Sequence, residues 1–170
     1  MRMTSARSDE FLSVLESHKG IIYKVANAYA KEPETRKDLT QEIILQLWKA
    51  FDTYDPKFKH STWIYKVSLN VSLAFSRKEH NRNKLLDPLI EDLTGLSMPD
   101  QSTDHEAEFR HLQRFIQELK ALDRAILLLY LEDRSQKEMA EIIGITQTNV
   151  STRIGRIKTT LREKFDQLKK

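Results

Sequence analysis

Apolar residues recur at helical spacing along most of this 170-residue chain, and the longest stretch without that pattern lies between residues 81 and 104. That stretch contains Pro88, Gly95 and Pro99, which interrupt regular structure. The whole chain has only four Gly and four Pro, so long helices suit it better than a sheet of many strands. We therefore predict an all-α protein of two small helical domains, residues 8–80 and 108–168, joined by a flexible linker over residues 81–107.

Charge is distributed unevenly along the chain, although the net charge is only +3. Residues 87–108 carry seven acidic side chains and no Lys or Arg. Residues 153–170 carry seven Lys or Arg against two acids. The predicted linker is thus acidic, and this pattern favours contact with a polyanion on either side of it but not along it.

The first half of the chain predicts four helical stretches. The first two meet near Gly20, and the third opens near Pro33, a residue tolerated in the first turn of a helix. Residues 52–60 read as a loop. Ser61 or Thr62 is then expected to cap the fourth helix.

Residues 136–154 have the pattern of a helix-turn-helix. Ala140 is small where two helices cross closely, and Gly144 lies where the chain must turn with positive φ. The hydroxyl of Thr146 can cap the second helix. The apolar residues expected to pack the two helices together are Met139, Ile143, Ile145 and Val150.

The second helix of this motif is free of acids from residue 146 to residue 160. Gln and Asn side chains can bond to adenine, Arg to guanine or phosphate, and Ser or Thr to either. An ordinary antiparallel helix pair with a polar outer face is the alternative. The side chains predicted to face a DNA groove are Gln147, Thr148, Asn149, Ser151, Thr152, Arg153 and Arg156.

A second group of polar side chains lies on the fourth helical stretch. At about 100° per residue, an aromatic ring, an amide and two cations fall within one narrow sector. Single-stranded nucleic acid needs such a set, because a ring stacks on a base while cations meet phosphates. The alternative is a Trp half-buried in the core beside a solvated charged edge. The strip consists of Trp63, Lys66, Asn70 and Arg77, and the preceding loop adds Lys57, Phe58, Lys59, His60 and Ser61.

Enzymatic and membrane functions have no support in the sequence. There is no Cys, so neither a disulfide nor a thiolate metal site is expected. The five His are scattered, and no Gly-rich phosphate loop or nucleophile elbow is present. No apolar stretch approaches the roughly 18 residues of a membrane span, and residues 1–8 do not resemble a signal peptide. We expect a cytoplasmic protein without metal or cofactor.

The two halves together carry motifs of a known family. The first half has Asp-Leu-Thr-Gln-Glu at residues 38–42 and Ser-Thr-Trp-Ile-Tyr-Lys-Val at residues 61–67. The second half has Asp-Arg-Ala-Ile-Leu-Leu-Leu-Tyr-Leu-Glu at residues 123–132 and Lys-Glu-Met-Ala-Glu-Ile-Ile-Gly-Ile at residues 137–145. In this order and separation they resemble the second and fourth domains of the extracytoplasmic-function group of the sigma-70 family. The likeness spans about residues 10–165.

The resemblance implies a sigma factor that binds core RNA polymerase, recognises the minus-thirty-five and minus-ten promoter elements and promotes DNA melting. The residues implied for docking on the clamp coiled coil of the largest polymerase subunit are Asp38, Gln41, Glu42 and Trp48. Those implied for capturing a flipped base and holding the melted minus-ten strand are Lys57, Phe58, Lys59, His60, Ser61, Thr62, Trp63, Lys66, Asn70 and Arg77. Those implied for reading the minus-thirty-five duplex are Thr146, Gln147, Thr148, Asn149, Ser151, Thr152, Arg153, Arg156 and Lys158.

Two departures from the family pattern stand out. Ala74 occupies a position where many relatives carry an acid, and a proline common near the start of the fourth domain is missing around residues 119–122.

The resemblance also implies an anti-sigma factor as a further partner. The main alternative is a stand-alone helix-turn-helix regulator with a ligand-sensing or dimerising N-terminal domain, which would not need the strip from Trp63 to Arg77.

Overall fold

The computed structural model describes residues 5–83 and 104–170, and every regular element within these two ranges is helical. The N-terminal helices are α1 (Ser5–Tyr29), α2 (Pro33–Ala50), a single 3-10 turn (Phe51–Thr53) and α3 (His60–Asn83). The C-terminal helices are α4 (Asp104–Glu118), α5 (Ala121–Leu131), α6 (Gln136–Ile143) and α7 (Gln147–Leu168). The all-α prediction is confirmed. Most of the predicted linker lies outside the described residues.

The first two predicted helical stretches form one continuous helix, α1, so the predicted separation near Gly20 was wrong. Gly within a helix costs only about 1 kcal/mol relative to Ala. A Cβ added at Gly20 would meet no atom within 4 Å, so no close approach there requires a glycine. The predicted opening of α2 at Pro33 is confirmed.

Helices α1, α2 and α3 pack pairwise into a bundle. Each contributes apolar residues at spacings of three or four, which places them on one face of a helix. Ser68 and Ser72 of α3 are also fully buried, and such small side chains allow helices to approach closely. The buried core of this bundle includes Ile22, Val25, Ala26, Leu39, Ile43, Leu47, Ile64, Tyr65 and Leu69.

Helix α3 begins one residue before the predicted caps. The backbone N–H of Trp63 donates to the carbonyl of Lys59 over 3.1 Å, so Lys59 occupies the capping position. Ser61 and Thr62 therefore lie inside the first turn, and the prediction that one of them caps α3 was wrong. Their hydroxyls are instead directed towards the C-terminal half of the chain, as described below.

The C-terminal helices are organised around α5, in which every residue from Ala125 to Leu129 is buried. Helix α7 packs on α5 and α6 with the i, i+4, i+7 residues Val150, Ile154 and Ile157. Helix α4 also contacts α5. A continuous apolar run such as that of α5 is expected for a helix covered on several sides.

The N-terminal and C-terminal helices are in direct contact. Helix α3 packs against α5 and α6, and α1 packs against α4 and α5. The hydroxyl of Tyr29 in α1 donates to the carbonyl of Ala121 in α5 over 2.6 Å. Buried apolar residues from both halves consequently belong to one connected cluster.

Candidate nucleic-acid interface

The predicted helix-turn-helix is formed by α6 and α7. Gly144 ends α6 with a φ of 83°, in the left-handed region that glycine enters without strain. Its N–H donates to the carbonyl of Ala140 over 2.8 Å. The hydroxyl of Thr146 accepts from the N–H of Asn149 over 3.1 Å and caps α7 as predicted. Ser135 caps α6 in the same way through the N–H of Glu138.

Most of the side chains predicted to face the DNA groove are exposed along one end of α7. Thr152 donates to the carbonyl of Thr148 over 3.0 Å, a bond within the helix that leaves both residues at the surface. The ammonium of Lys158 lies 4.8 Å from the ring centroid of Tyr130. The exposed residues are Thr146, Gln147, Thr148, Asn149, Ser151, Thr152, Arg156 and Lys158.

Arg153 differs from these residues because it is half-buried. Its Nη1 lies 2.8 Å from a carboxylate oxygen of Asp123 in α5, and its Nε donates to the side-chain oxygen of Asn149. Both partners of the ion pair keep less than a quarter of their side-chain surface exposed. Arg153 therefore ties α7 to α5 and also fixes the amide of Asn149 on the outer face.

The strip on α3 follows the predicted sector. Lys66, Asn70 and Arg77 are exposed, whereas Trp63 is half-buried. The Trp63 ring packs against Tyr54, with 5.2 Å between ring centroids. Its environment combines the two alternatives, because one part of the ring meets the core and another part meets a surface groove that Lys66 and Asn70 also line.

The loop before α3 is shaped by Tyr54, a residue that sequence reasoning missed. Its ring stacks on His60 with centroids 4.8 Å apart, and its hydroxyl donates to the carbonyl of Phe58. The N–H of Lys57 donates to the side chain of Asp55 over 3.0 Å. Phe58 keeps 47% of its surface exposed, so an aromatic ring stands free beside the groove. In the sequence, the only indication of a role for Tyr54 is that an aromatic residue lies inside a predicted loop.

Ser61 and Thr62 are engaged by a residue of the C-terminal half. Arg134, in the turn between α5 and α6, donates from Nη2 to the hydroxyl of Ser61 over 3.2 Å and from Nη1 to that of Thr62 over 3.4 Å. Its guanidinium lies over the ring of Tyr65, 5.3 Å from the centroid. Burial raises the pKa of Tyr65 to about 12, and Glu132 nearby acts in the same direction.

The residues implied for polymerase docking lie on two neighbouring faces of α2. Gln41 and Trp48 line an apolar groove between α1 and α2, with Trp48 packed edge-on against Phe11 at 5.0 Å. Asp38 and Glu42 line a second groove, between α2 and α3. The α1–α2 groove also exposes Leu12 and Leu45, which keep 58% and 44% of their surface. Sequence reasoning missed both leucines.

Three further contacts join the two halves around Arg124 and Lys24, from Arg124 to Ala28 and Tyr29 and from Lys24 to Glu132. Arg124 donates to the carbonyl of Ala28 in α1 over 3.0 Å and to the carbonyls of Ile116, Gln117 and Leu119 at the end of α4. Its guanidinium also lies over the ring of Tyr29. Burial raises the pKa of Tyr29 and lowers the pKa of Arg124. Lys24 forms an ion pair with Glu132.

Neither a metal-binding cluster nor a membrane-spanning helix is found in the part of the chain that the structure describes. Within residues 5–83 and 104–170, no three His, Asp or Glu side chains come together so as to hold a metal ion. No helix in these ranges combines the length and the apolar character needed to cross a membrane.

Comparison with known proteins gives two family matches in the expected order. Residues 14–82 match "Sigma-70 region 2", and residues 109–161 match "Sigma-70, region 4". The chain is 27% identical over 171 residues to the ECF RNA polymerase sigma factor SigW of Bacillus subtilis, covering 94% of this chain and 91% of SigW. It is 28% identical to SigV of the same organism, covering 89% of this chain and 88% of SigV.

Two solved structures have a similar fold. One is CnrH in complex with the cytosolic domain of CnrY, with a TM-score of 0.66 and 19% identity, covering 94% of this chain and 90% of that one. The other is RpoE from Bartonella quintana in complex with the anti-sigma factor NepR, with a TM-score of 0.64 and 19% identity, covering 96% and 98%. With both regions matched in order and relatives spanning nearly the whole length, the chain belongs to the extracytoplasmic-function group of the sigma-70 family and is an alternative sigma factor of transcription initiation.

Proposed function

We propose that the protein binds core RNA polymerase, reads a minus-thirty-five duplex with α7 and holds the melted minus-ten strand with α3 and the loop before it. The observation that carries this proposal is the pairing of two surfaces of different chemistry. One is the exposed face of α7 up to residue 160, which carries no acid. The other is a strip of Trp63, Lys66, Asn70 and Arg77 beside an aromatic loop. Duplex DNA is read by a helix in the groove, whereas a melted strand needs stacking and phosphate contacts.

The apolar groove with Gln41 and Trp48 suits docking on polymerase. Large exposed apolar side chains clustered in a groove mark a protein interface, and Leu12 and Leu45 flank this one. Asp38 and Glu42 supply acidic groups in the neighbouring α2–α3 groove. We place the functional boundaries at residues 8–80 for polymerase and minus-ten binding, 81–107 for the linker and 108–168 for minus-thirty-five binding.

The protein acts on DNA only as a polymerase subunit in this proposal. Each surface offers few phosphate contacts, so each binds weakly and in a salt-sensitive way by itself. Tethering both to polymerase converts two weak contacts into one strong one. The protein has no catalytic role of its own, needs no metal or cofactor, and works in the cytoplasm, where the polymerase and the promoter lie. An anti-sigma factor is a further partner, supported by the complex in which RpoE was solved with the anti-sigma factor NepR.

In vitro transcription with purified core polymerase on fragmented genomic DNA tests the proposal. Discrete new transcripts that appear only with the protein and share two upstream sequence blocks are the expected result. The Trp63→Ala variant is the matched control, since it removes one stacking ring from the proposed minus-ten surface. Absence of transcripts together with specific retention of duplex DNA by the protein alone would favour the stand-alone regulator.

A further inference from the structure

One side chain in the first turn of α7 is held in a single orientation. The Nε–H of Arg153 donates to the side-chain oxygen of Asn149 over 2.9 Å. A guanidinium only donates hydrogen bonds, so the atom it meets must be the amide oxygen and not the amide nitrogen. Of the two orientations that the amide of Asn149 could take at this place, the bond to Arg153 therefore selects one.

Arg153 is itself held from behind. Its Nη1 donates to a carboxylate oxygen of Asp123 in α5 over 2.8 Å, and both side chains keep less than a quarter of their surface exposed. The backbone N–H of Asn149 donates to the hydroxyl of Thr146, which fixes the main chain at the same place. Asn149 is nevertheless exposed. Because its orientation is set before a ligand arrives, Asn149 loses little freedom on binding.

The part of Asn149 that is left for a ligand is its N–H2 group. In the major groove guanine presents N7 and O6 as acceptors and thymine presents O4, whereas cytosine presents an amino donor. The two-bond pairing of Asn with adenine needs the amide oxygen as well as the nitrogen. In this protein that oxygen already accepts from Arg153. The amide is thus arranged to meet an acceptor on a base edge.

We propose that Asn149 determines specificity at one position of the minus-thirty-five element, where it selects guanine or thymine and rejects cytosine. A cytosine at that position would bring two donors together and leave both unpaired. Arg153 is the positioning residue, since it acts on this base through the amide of Asn149. The proposal rests on the function proposed above for α7.

Asn149→Asp inverts the group that faces the base. One carboxylate oxygen can keep the bond from Arg153 while the other faces outward as an acceptor, and an acid in the first turn of a helix is favourable. The amino group of cytosine donates to a carboxylate, so cytosine should become the preferred base. We expect guanine or thymine to be favoured over cytosine at least about fivefold in wild type, and the order to be reversed in Asn149→Asp.

Transcription from a promoter library measures these preferences. A promoter identified with the full-length protein and core polymerase is rebuilt with its upstream block randomised, and the transcripts are sequenced. Bases at one position are compared within each protein, so that a uniform loss of affinity from the added negative charge cancels. Gln147→Glu is the matched control, because it makes the same change at a neighbouring exposed amide and should leave the preference at the Asn149 position unchanged.

Two further variants do not add a negative charge. Asn149→Ala should reduce the preference at the same position to less than about twofold. Arg153→Lys keeps a cation beside Asp123 but lacks the Nε–H, so the amide is free to turn and adenine should become acceptable there.

The proposal is overturned if Asn149→Asp and Asn149→Ala lower transcription from all library members by one common factor, since the amide would then meet a phosphate and not a base. A wild-type preference for adenine or cytosine at the position that Asn149→Ala relaxes would overturn it as well. Failure of the proposed function has a different signature. In that case, no position of the upstream block would affect transcription by the wild-type protein.

Discussion

Arg153 and Asp123 form an ion pair across 2.8 Å that joins α7 to the N-terminal turn of α5. The pair is partly shielded from water, so it is screened less than a surface pair. Arg153, which the sequence predicts to contact DNA, therefore also holds α7 against α5. Its two roles can be separated by substituting the two partners individually.

Arg153→Ala should lower the free energy of unfolding by about 1–2 kcal/mol, because it leaves the Asp123 carboxylate without its partner. It should also weaken recognition of the minus-thirty-five element. Urea unfolding and transcription from a promoter with intact and scrambled upstream elements measure the two effects. Asp123→Asn is the control, since it breaks the pair without altering the outer face. Equal loss of transcription in both variants would mean that Arg153 acts only by positioning α7.

Trp63→Ala should reduce promoter opening about tenfold or more while leaving core-polymerase affinity close to wild type. Stacking of a base on an aromatic ring contributes about 1–3 kcal/mol per base, and this variant removes the ring. Permanganate reactivity of unpaired thymines reports opening, and a labelled-protein titration reports polymerase binding. Trp63→Phe should retain most of the opening. A parallel loss of polymerase affinity in Trp63→Ala would contradict the separation of the two surfaces.

Leu45→Asp should weaken binding to core polymerase about tenfold, because it places a charge in the apolar α1–α2 groove. Thermal stability should change little, since 44% of the Leu45 surface is already exposed. Leu168→Asp is a matched control on α7, where the leucine is 48% exposed and outside this groove. Equal polymerase affinity for the Leu45→Asp and Leu168→Asp proteins would rule out the groove as the docking surface.

Arg124→Ala should be the most destabilising of these single substitutions, costing about 3 kcal/mol. Four carbonyls from α1 and the end of α4 accept hydrogen bonds from this guanidinium, and its loss leaves partly buried acceptors unsatisfied. Arg124→Lys keeps the charge but not the planar fork, so it should recover only part of the loss. Urea denaturation followed by circular dichroism provides the comparison. A cost below that of Arg153→Ala would show that these bonds contribute little.

Stability should fall as pH rises from about 10 to about 12, in part through Tyr65. The ordinary tyrosine pKa is 10.0, and burial raises the pKa of Tyr65 to about 12. Between these two pH values the folded state keeps a proton that the unfolded state releases. The contribution of Tyr65 to stability is therefore complete below about pH 10 and is lost as pH rises to about 12. Urea midpoints at about pH 9 and about pH 11 should differ less for Tyr65→Phe than for wild type. Tyr29 acts in the same direction and is present in both proteins. Identical pH dependence of the urea midpoint in wild type and Tyr65→Phe would contradict the assignment of this effect to Tyr65.

The features that the sequence predicted are those determined by neighbouring residues. The positive φ of Gly144 and the cap at Thr146 each depend on positions within one turn, so their residue types were sufficient. The strip on α3 followed from helical periodicity in the same way. The predicted break near Gly20 was wrong because glycine costs a helix little stability. Packing of the residues before and after Gly20 outweighs that cost.

The features that were missed depend on residues far apart in the chain. Arg134 and Ser61 are separated by 73 positions and Arg153 and Asp123 by 30, so no local pattern marks either pair. Ile143 was expected to pack α6 on α7, but Ile142 is the more deeply buried of the two because it faces α3. Packing between the two halves of the chain could therefore not be predicted from the sequence.

The apolar cluster shared by the N-terminal and C-terminal helices also limits how fast a partner can bind, if that partner binds only when the two halves are separated. For such a partner, the apparent dissociation constant equals the intrinsic value divided by the fraction of molecules in which the two halves are apart. At high partner concentration, the rate of association then approaches the rate of opening and stops rising. Substitutions buried between the halves would in this way retune the response of transcription to polymerase concentration without altering a single residue that touches polymerase or DNA.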